Sequence, residues 1–311
     1  MKLKKKCFLV TGGTGFIGSN ICKLLVKNGH KVLVYDNNSR GSLNKISNIK
    51  NKISFIKGDI RDRAKLFKNL RNVDAVVHLA YINGTKYFYT KADLILDIAV
   101  KGLVNVIDGC IKNKIKEIYL ASSSEVYQTP LKIPTDENEM LKIPDVFNPR
   151  YSYGGGKIIT ELMGIHYGKK FFKKMIIFRP HNVYGKDMGN EHVVPEFINR
   201  FKKLKRKQFK IQGSGQEIRS FIHIDDFISA FELIVKKGKH LNIYNIGTSE
   251  KVRIKELAYK IAKIVDKKII LKKSKLQKGG TKIRLPDISK IRKLGFKPKF
   301  DLNKGLTEVI N

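Results

Sequence analysis

The sequence predicts a doubly wound α/β fold: a parallel sheet covered by helices on both faces, followed by a smaller α/β portion. Three observations point there. Short β-branched runs alternate with helical apolar stripes through the first half of the chain. A glycine-rich turn joins the first run to the first stripe. The 311 residues, 42% of them hydrophobic, suffice for one large core or two closely packed domains.

Taken in order, the strand-like runs are KKCFLVTG (5–12), KVLVYD (31–36), ISFIKGD (53–59), DAVVHLA (74–80), KEIYLASSS (116–124) and KKMIIFRP (173–180). None alternates strictly, as expected of strands buried on both faces. Between the first two, Ile17, Ile21, Leu24 and Leu25 form a helical stripe that ends at Gly29, a C-cap glycine. A second stripe spans roughly 92–113. Regular alternation of this kind builds parallel crossover units. Beyond Pro180 the pattern loosens, with helices expected at 225–237 and 254–266, and NIYNIG (242–247) returning to the sheet. The expected division is a sheet domain over 1–180, with a returning segment near 220–262, and a non-contiguous second portion over 181–311.

Composition narrows the function. Lys and Arg total 63 against 27 Asp and Glu, a formal charge of +36. The basic residues are spread along the whole chain. The densest cluster, FKKLKRKQFK (201–210), is followed by no helix-turn-helix, RRM or KH signature, which argues against nucleic-acid binding. A positive field still attracts a phosphorylated substrate. No apolar run reaches the ~18 residues a membrane span needs. The start, MKLKKKCFLVTGG, has too short an apolar stretch for a signal peptide, so the expected location is cytoplasmic. Cys7, Cys22 and Cys110 lack metal or redox spacing and lie in apolar patterns, where buried packing is the expectation.

The turn after the first run reads TGGTGFIGSN (11–20). Gly12, Gly15 and Gly18 permit a tight turn and close approach of backbone to a pyrophosphate at a helix N-terminus. Asp36, 18 residues past Gly18, ends the second run, where a carboxylate binds the ribose hydroxyls of an adenosine. The fold is therefore Rossmann-like and the expected cofactor is NAD, because an aspartate repels the 2′-phosphate of NADP. Arg40 is the counter-argument, since an arginine there can accept that phosphate. Asp59, in KGDIRD, is placed to meet the adenine. Farther on, Tyr153 and Lys157 in RYSYGGGKIITELM stand one helical turn apart. An ammonium beside a phenol lowers its pKa and lets the phenolate take a proton as hydride leaves the adjoining carbon.

These motifs together resemble the extended short-chain dehydrogenase/reductases of the nucleotide-sugar epimerase/dehydratase family. TGGTGFIG, YDNNSRG, GDIRD, HLAY, SSSEVY, YGGGK, RPHNVYG, GSGQEIRSFIHIDD and RLPDISK appear in the family's order over nearly the whole chain. The resemblance implies that Tyr153 is the catalytic base and that Lys157 is its pKa partner and a cofactor ligand. It implies that Ser123 binds the sugar's C4 oxygen, with Ser124 beside it. Asn182, Arg219 and Arg284 would meet the diphosphate. Phe16, Ile17, Ile60, Leu79 and Ala80 would flank the dinucleotide, and the chain would form a homodimer. His181 and His223 receive no role.

The sequence departs from the family's usual pattern at Tyr81, where a small residue is common, and at Gln128, where glycine is common. It also departs in the three successive glycines of YGGGK. The reaction implied is transient C4 oxidation of a nucleotide-linked hexose, with a 4-epimerase acting on a UDP-sugar first in expectation. Glu125 keeps a 4,6-dehydratase or a UDP-glucuronate-type decarboxylase open. Ser124 stands where many dehydratases carry an acid-donating aspartate. A non-catalytic cofactor-binding or nucleic-acid-associated protein is the alternative of another class, and it gives no reason for Ser123, Tyr153 and Lys157 to occur together.

Overall fold

The computed structural model describes residues 5–311. Six strands precede residue 181: β1 (Cys7–Thr11), β2 (Lys31–Asp36), β3 (Ile53–Lys57), β4 (Ala75–His78), β5 (Glu117–Ala121) and β6 (Lys174–Pro180). Then come β7 (Val183–Tyr184), β8 (Gln208–Gln212), β9 (Ile218–Arg219), β10 (Ile222–His223), β11 (Asn242–Ile246), β12 (Val252–Arg253), β13 (Ile270–Ser274) and β14 (Ile283–Arg284). The first six and β11 make a seven-stranded sheet in the order β11-β6-β5-β4-β1-β2-β3, and every pairing in it is parallel. The order reverses between β1 and β4, and a crevice opens there at the carboxyl ends of the strands.

Apolar side chains alternate to the two faces of the sheet and found two cores. One holds Val10, Ile21, Leu25, Val34, Phe178, Phe227 and Phe231; the other holds Leu9, Leu66, Val76, Leu103, Val106, Leu120 and Ile177. A third core, around Phe197, Phe201, Phe209, Leu257, Ile261 and Leu306, belongs to the later part of the chain. There β8 and β13 pair as one small sheet and β12, β9 and β14 as another. The stripe expected over 92–113 is broken into Ala92–Asp97 and Leu103–Lys112, joined by a wider π-type turn at Ile98–Gly102. Cys22 and Cys110 are buried as expected, whereas Cys7, the first residue of the central strand β1, is only half-buried.

A buried ion pair ties the sheet to the helix Tyr151–Phe171. Arg179 on β6 and Glu161 on that helix are 1% and 3% exposed. Arg179 Nε donates to Glu161 Oε1 at 2.8 Å, and its second terminal nitrogen donates to Oε2 at 2.5 Å. Ser122, just past β5, donates to the same carboxylate. The other guanidinium nitrogen donates to the Tyr127 hydroxyl at 2.6 Å, which donates to Asn245 on β11 at 2.8 Å. Both charges in this network are paired and hydrogen-bonded, the condition under which buried ions are tolerated.

Glu161→Ala leaves the Arg179 guanidinium buried without a counter-ion. It is expected to cost about 3–5 kcal/mol, read as a lower midpoint in urea unfolding, while an exposed control, Glu196→Ala, moves it little.

Candidate active site

One cavity of about 960 Å³ opens at the switch point. Every residue singled out from the sequence as a site candidate lines it, from Gly12 and Asp36 at one end to Arg219 and Arg284 at the other.

At the dinucleotide end, the helix Phe16–Lys27 begins at Gly15 with no side-chain cap, so its first N–H groups face the cavity unclaimed. Gly18 is required: a Cβ there would overlap the Gly12 carbonyl oxygen. Asp36 Oδ2 accepts from the Thr14 N–H at 3.0 Å and Oδ1 from the Asn38 N–H at 2.8 Å. Each oxygen keeps a lone pair for a ribose hydroxyl. Asp59 accepts from Asn37 and Arg61; these bonds, Arg61's first, outweigh its burial and hold its carboxyl at about 2. Uncapped N–H groups, a glycine cradle and a carboxylate with spare acceptors fit NAD.

At the other end, Ser123 caps the short 3₁₀ turn Ser124–Tyr127, its Oγ accepting from the Glu125 N–H at 3.1 Å. The serine is therefore a turn cap, and its own proton is left for the Tyr153 oxygen beside it. Tyr153 is 5% exposed and stacks on Phe88, ring centroids 4.8 Å apart. Burial pushes its phenol up from the usual value, and the neighbouring Ser123 hydroxyl pulls it back only in part. This corrects the expectation of a phenol lowered by Lys157. The ammonium instead donates to the Ala121 carbonyl at 2.7 Å and lies 3.8 Å from the centre of the Tyr81 ring, against 5.9 Å for the Tyr153 ring. Burial lowers Lys157 to about 7, with Glu161 opposing.

The departures from the family pattern turn out to be matched to one another. A Cβ on Gly156 would overlap the Tyr81 hydroxyl and come within 2.6 Å of the Ala99 methyl. A Cβ on Gly154 would lie 2.5 Å from Gln128 Nε2. Two of the three glycines of YGGGK, Gly154 and Gly156, thus make room for the two unusual side chains that press on the helix. Gln128 has φ +51°, a left-handed conformation that favours glycine. Its side chain compensates by donating to the Glu125 carbonyl at 2.6 Å.

Glu125 is not free. Arg284 grips it with two bonds, 2.6 and 2.9 Å, and Arg150 approaches to 3.7 Å. Burial alone would raise the carboxyl, but Arg284, Arg150 and Arg219 outweigh it and hold it at about 2. Arg219 spends its donors on the carbonyls of Ile218, Thr281 and Lys282, and burial, then Arg284, push it down to about 9. Asn182 donates to the Ser220 carbonyl at 2.7 Å, keeping its amide oxygen for the cavity. Sequence reasoning missed Arg150. Its spacing of three residues before Tyr153, on the same helix face, was the available signal. His181 is fully buried, hydrogen-bonds Asn245 and is held neutral by burial, a structural histidine.

Fold and cavity define a dinucleotide-binding site of Rossmann type, with Ser123, Tyr153 and Lys157 on its wall. The chain belongs to the NAD dependent epimerase/dehydratase family, whose model matches residues 8–247, and is an NAD-dependent enzyme of it. It is 33% identical over 308 residues to a putative UDP-glucose 4-epimerase of Methanocaldococcus jannaschii, covering 97% of each chain. It is 29% identical to a UDP-N-acetyl-α-D-glucosaminuronate decarboxylase of Bacillus cytotoxicus, covering 99% of this chain and 97% of the relative. It is 31% identical over 274 residues to a dTDP-D-glucose 4,6-dehydratase of Dictyostelium discoideum, 82% of this chain but 61% of that relative's length. Among solved structures, a Thermotoga maritima UDP-glucose 4-epimerase with UDP-glucose superposes with a TM-score of 0.88 at 26% identity, covering 98% of this chain and 97% of that one. Among the described residues no helix is long and apolar enough to cross a membrane.

Two outcomes are expected. Gly154→Ala costs about 1–3 kcal/mol by overpacking, and a Gln128→Gly background recovers most of it, read as a positive coupling in a double-mutant unfolding cycle. The folded-state pKa of Glu125 lies below its ordinary 4.5, so its pairing stabilises above pH 4.5 and is lost as pH falls toward 2. Glu125→Gln is therefore less stable than wild type at pH 7, and the difference narrows through that acid window.

Proposed function

We propose that the chain decarboxylates a nucleotide-linked uronate, UDP-linked in the first instance, through a transient C4 ketone. The observation that supports this reading is the cage around Glu125. Arg150, Arg219 and Arg284 all line the cavity beside Glu125. Three guanidinium groups against one carboxylate leave the cage net positive. A neutral C6 hydroxymethyl would leave that excess charge unmatched. A C6 carboxylate matches it, and arginine is suited to holding a carboxylate.

The chemistry follows from the residues. Bound NAD supplies the hydride acceptor for C4. Tyr153, once ionised against the cost of its burial, takes the proton of the C4 hydroxyl, helped by Ser123, whose O–H donates to the oxygen that becomes the ketone. The carboxylate then lies β to that ketone. The C5–C6 bond breaks, CO₂ departs, and the electron pair is held as an enolate against the donors at the C4 oxygen. A proton from solvent returns to C5, hydride returns to C4, and Tyr153 gives its proton back to the C4 oxygen. No acid or base is needed at C6. Dehydration does need both, and here Ser124 is a hydroxyl where an acid is wanted. Glu125, held at about 2, is a poor proton acceptor near neutral pH.

A UDP-sugar 4-epimerase is the second reading, favoured by the 33% identity to the M. jannaschii relative and by a Ser-Tyr-Lys set that suffices for turning a C4 ketone over.

Incubation with UDP-glucuronate, UDP-N-acetylglucosaminuronate, UDP-glucose and UDP-galactose in D₂O separates the two. CO₂ release with deuterium at C5 supports decarboxylation; inversion at C4 without deuterium supports epimerisation and overturns the first reading. Tyr153→Phe is expected to lower turnover at least ~10²-fold with NAD affinity kept, and Arg150→Met to raise KM for the uronate.

A further inference from the structure

We propose that Glu191 decides which dinucleotide this chain accepts, by holding Arg40 away from the adenosine ribose. The two residues are 151 positions apart, and no sequence motif connects them. Arg40 lies four residues past Asp36, in the loop that follows β2, and lines the cavity at its dinucleotide end. By position it is a ready ligand for a 2′-phosphate. Its guanidinium, however, donates to Glu191 Oε2 at 3.0 Å. The other carboxylate oxygen accepts from the Tyr87 hydroxyl at 3.1 Å. The Tyr87 ring carries the Arg40 guanidinium on its face, 4.7 Å from the centroid.

Three contacts thus close a triangle, and each fixes the orientation of the next. The pair is shielded, with side chains 26% and 27% exposed, so it is screened less than a surface ion pair. Gly189 makes the room: a Cβ there would come within 2.8 Å of Glu191 Oε2. The other charged groups nearby are Lys45, Asp187 and His192. Lys45 sits among Asp187, Arg40 and Glu191. His192 is held neutral near neutral pH, lowered to about 4 by burial first and then by Arg40. Among the described residues Glu191 is the acid that bonds Arg40.

The consequence is a two-part filter. Asp36 repels a 2′-phosphate directly. Glu191 neutralises the arginine that would otherwise offset that repulsion, and adds its own negative charge to the same corner. The selectivity for NAD over NADP then depends on a residue from the second half of the chain, reached only through the fold.

The test is calorimetric titration of the full chain with NAD and with NADP. Glu191→Gln keeps the shape and the acceptor for Tyr87 but removes the charge. It is expected to tighten NADP binding by about tenfold or more, about 1.4 kcal/mol, with NAD binding within twofold of wild type and the gain shrinking as salt rises. Arg40→Gln alone is expected to leave both affinities within twofold, since the arginine is already committed, and to erase the gain when combined with Glu191→Gln. An unchanged NADP-to-NAD ratio in Glu191→Gln overturns the proposal, as does a gain that persists in the double variant. Tyr87→Phe, which removes one of the two holds on Glu191, is expected to shift the ratio the same way by less. It decides the matter should the glutamine variant lose NAD binding altogether, an unchanged ratio there likewise overturning the proposal.

Discussion

The Arg179–Glu161 pair is the constraint on which the rest of the site depends. It joins β6 to the helix that carries Tyr153 and Lys157, and through Ser122 and Tyr127 it fixes both ends of the segment that presents Ser123, Ser124 and Glu125. A buried guanidinium and carboxylate have few satisfactory arrangements, because each unfilled hydrogen bond in a low-dielectric interior is costly. The network therefore has one geometry, and the groups attached to it inherit that geometry. Ser123 and Tyr153 reach the same cavity because their backbones are held by the same four side chains.

A second charge cluster, at the cavity's far wall, works differently. Around Glu125 the balance is deliberately incomplete: three arginines, one carboxylate and two guanidinium N–H groups without acceptors. The first network is closed and structural; the second leaves an excess of positive charge at the cavity wall. That contrast, more than the presence of any single residue, separates framework from candidate chemistry here.

Much of this was legible in advance. The alternation of β-branched runs and helical stripes implied the parallel sheet, since strands buried on both faces cannot alternate. TGGTGFIG and Asp36 implied the dinucleotide end, and SSSEVY with Tyr153 and Lys157 implied the reacting end. The pKa relation between Tyr153 and Lys157 was not legible. It depends on where the ammonium points, and Tyr81 and the Ala121 carbonyl decide that. The glycines of YGGGK stood out in the sequence only as a departure from the family pattern; Gln128 against Gly154 and Tyr81 against Gly156 give two of them a reason.

The sequence by itself determined the fold class, the family and many of the residues that line the cavity, because those rest on local periodicity and on motifs a few residues long. Only the tertiary structure decided which charges meet. Glu125 with Arg284, Glu161 with Arg179, and Glu191 with Arg40 are pairs 159, 18 and 151 residues apart. In a chain with 63 basic residues and 27 acidic ones, composition cannot choose a partner for any carboxylate. Solvent screens charges of an open chain beyond about 10 Å, and only folding brings a particular arginine within bonding distance of a given carboxylate.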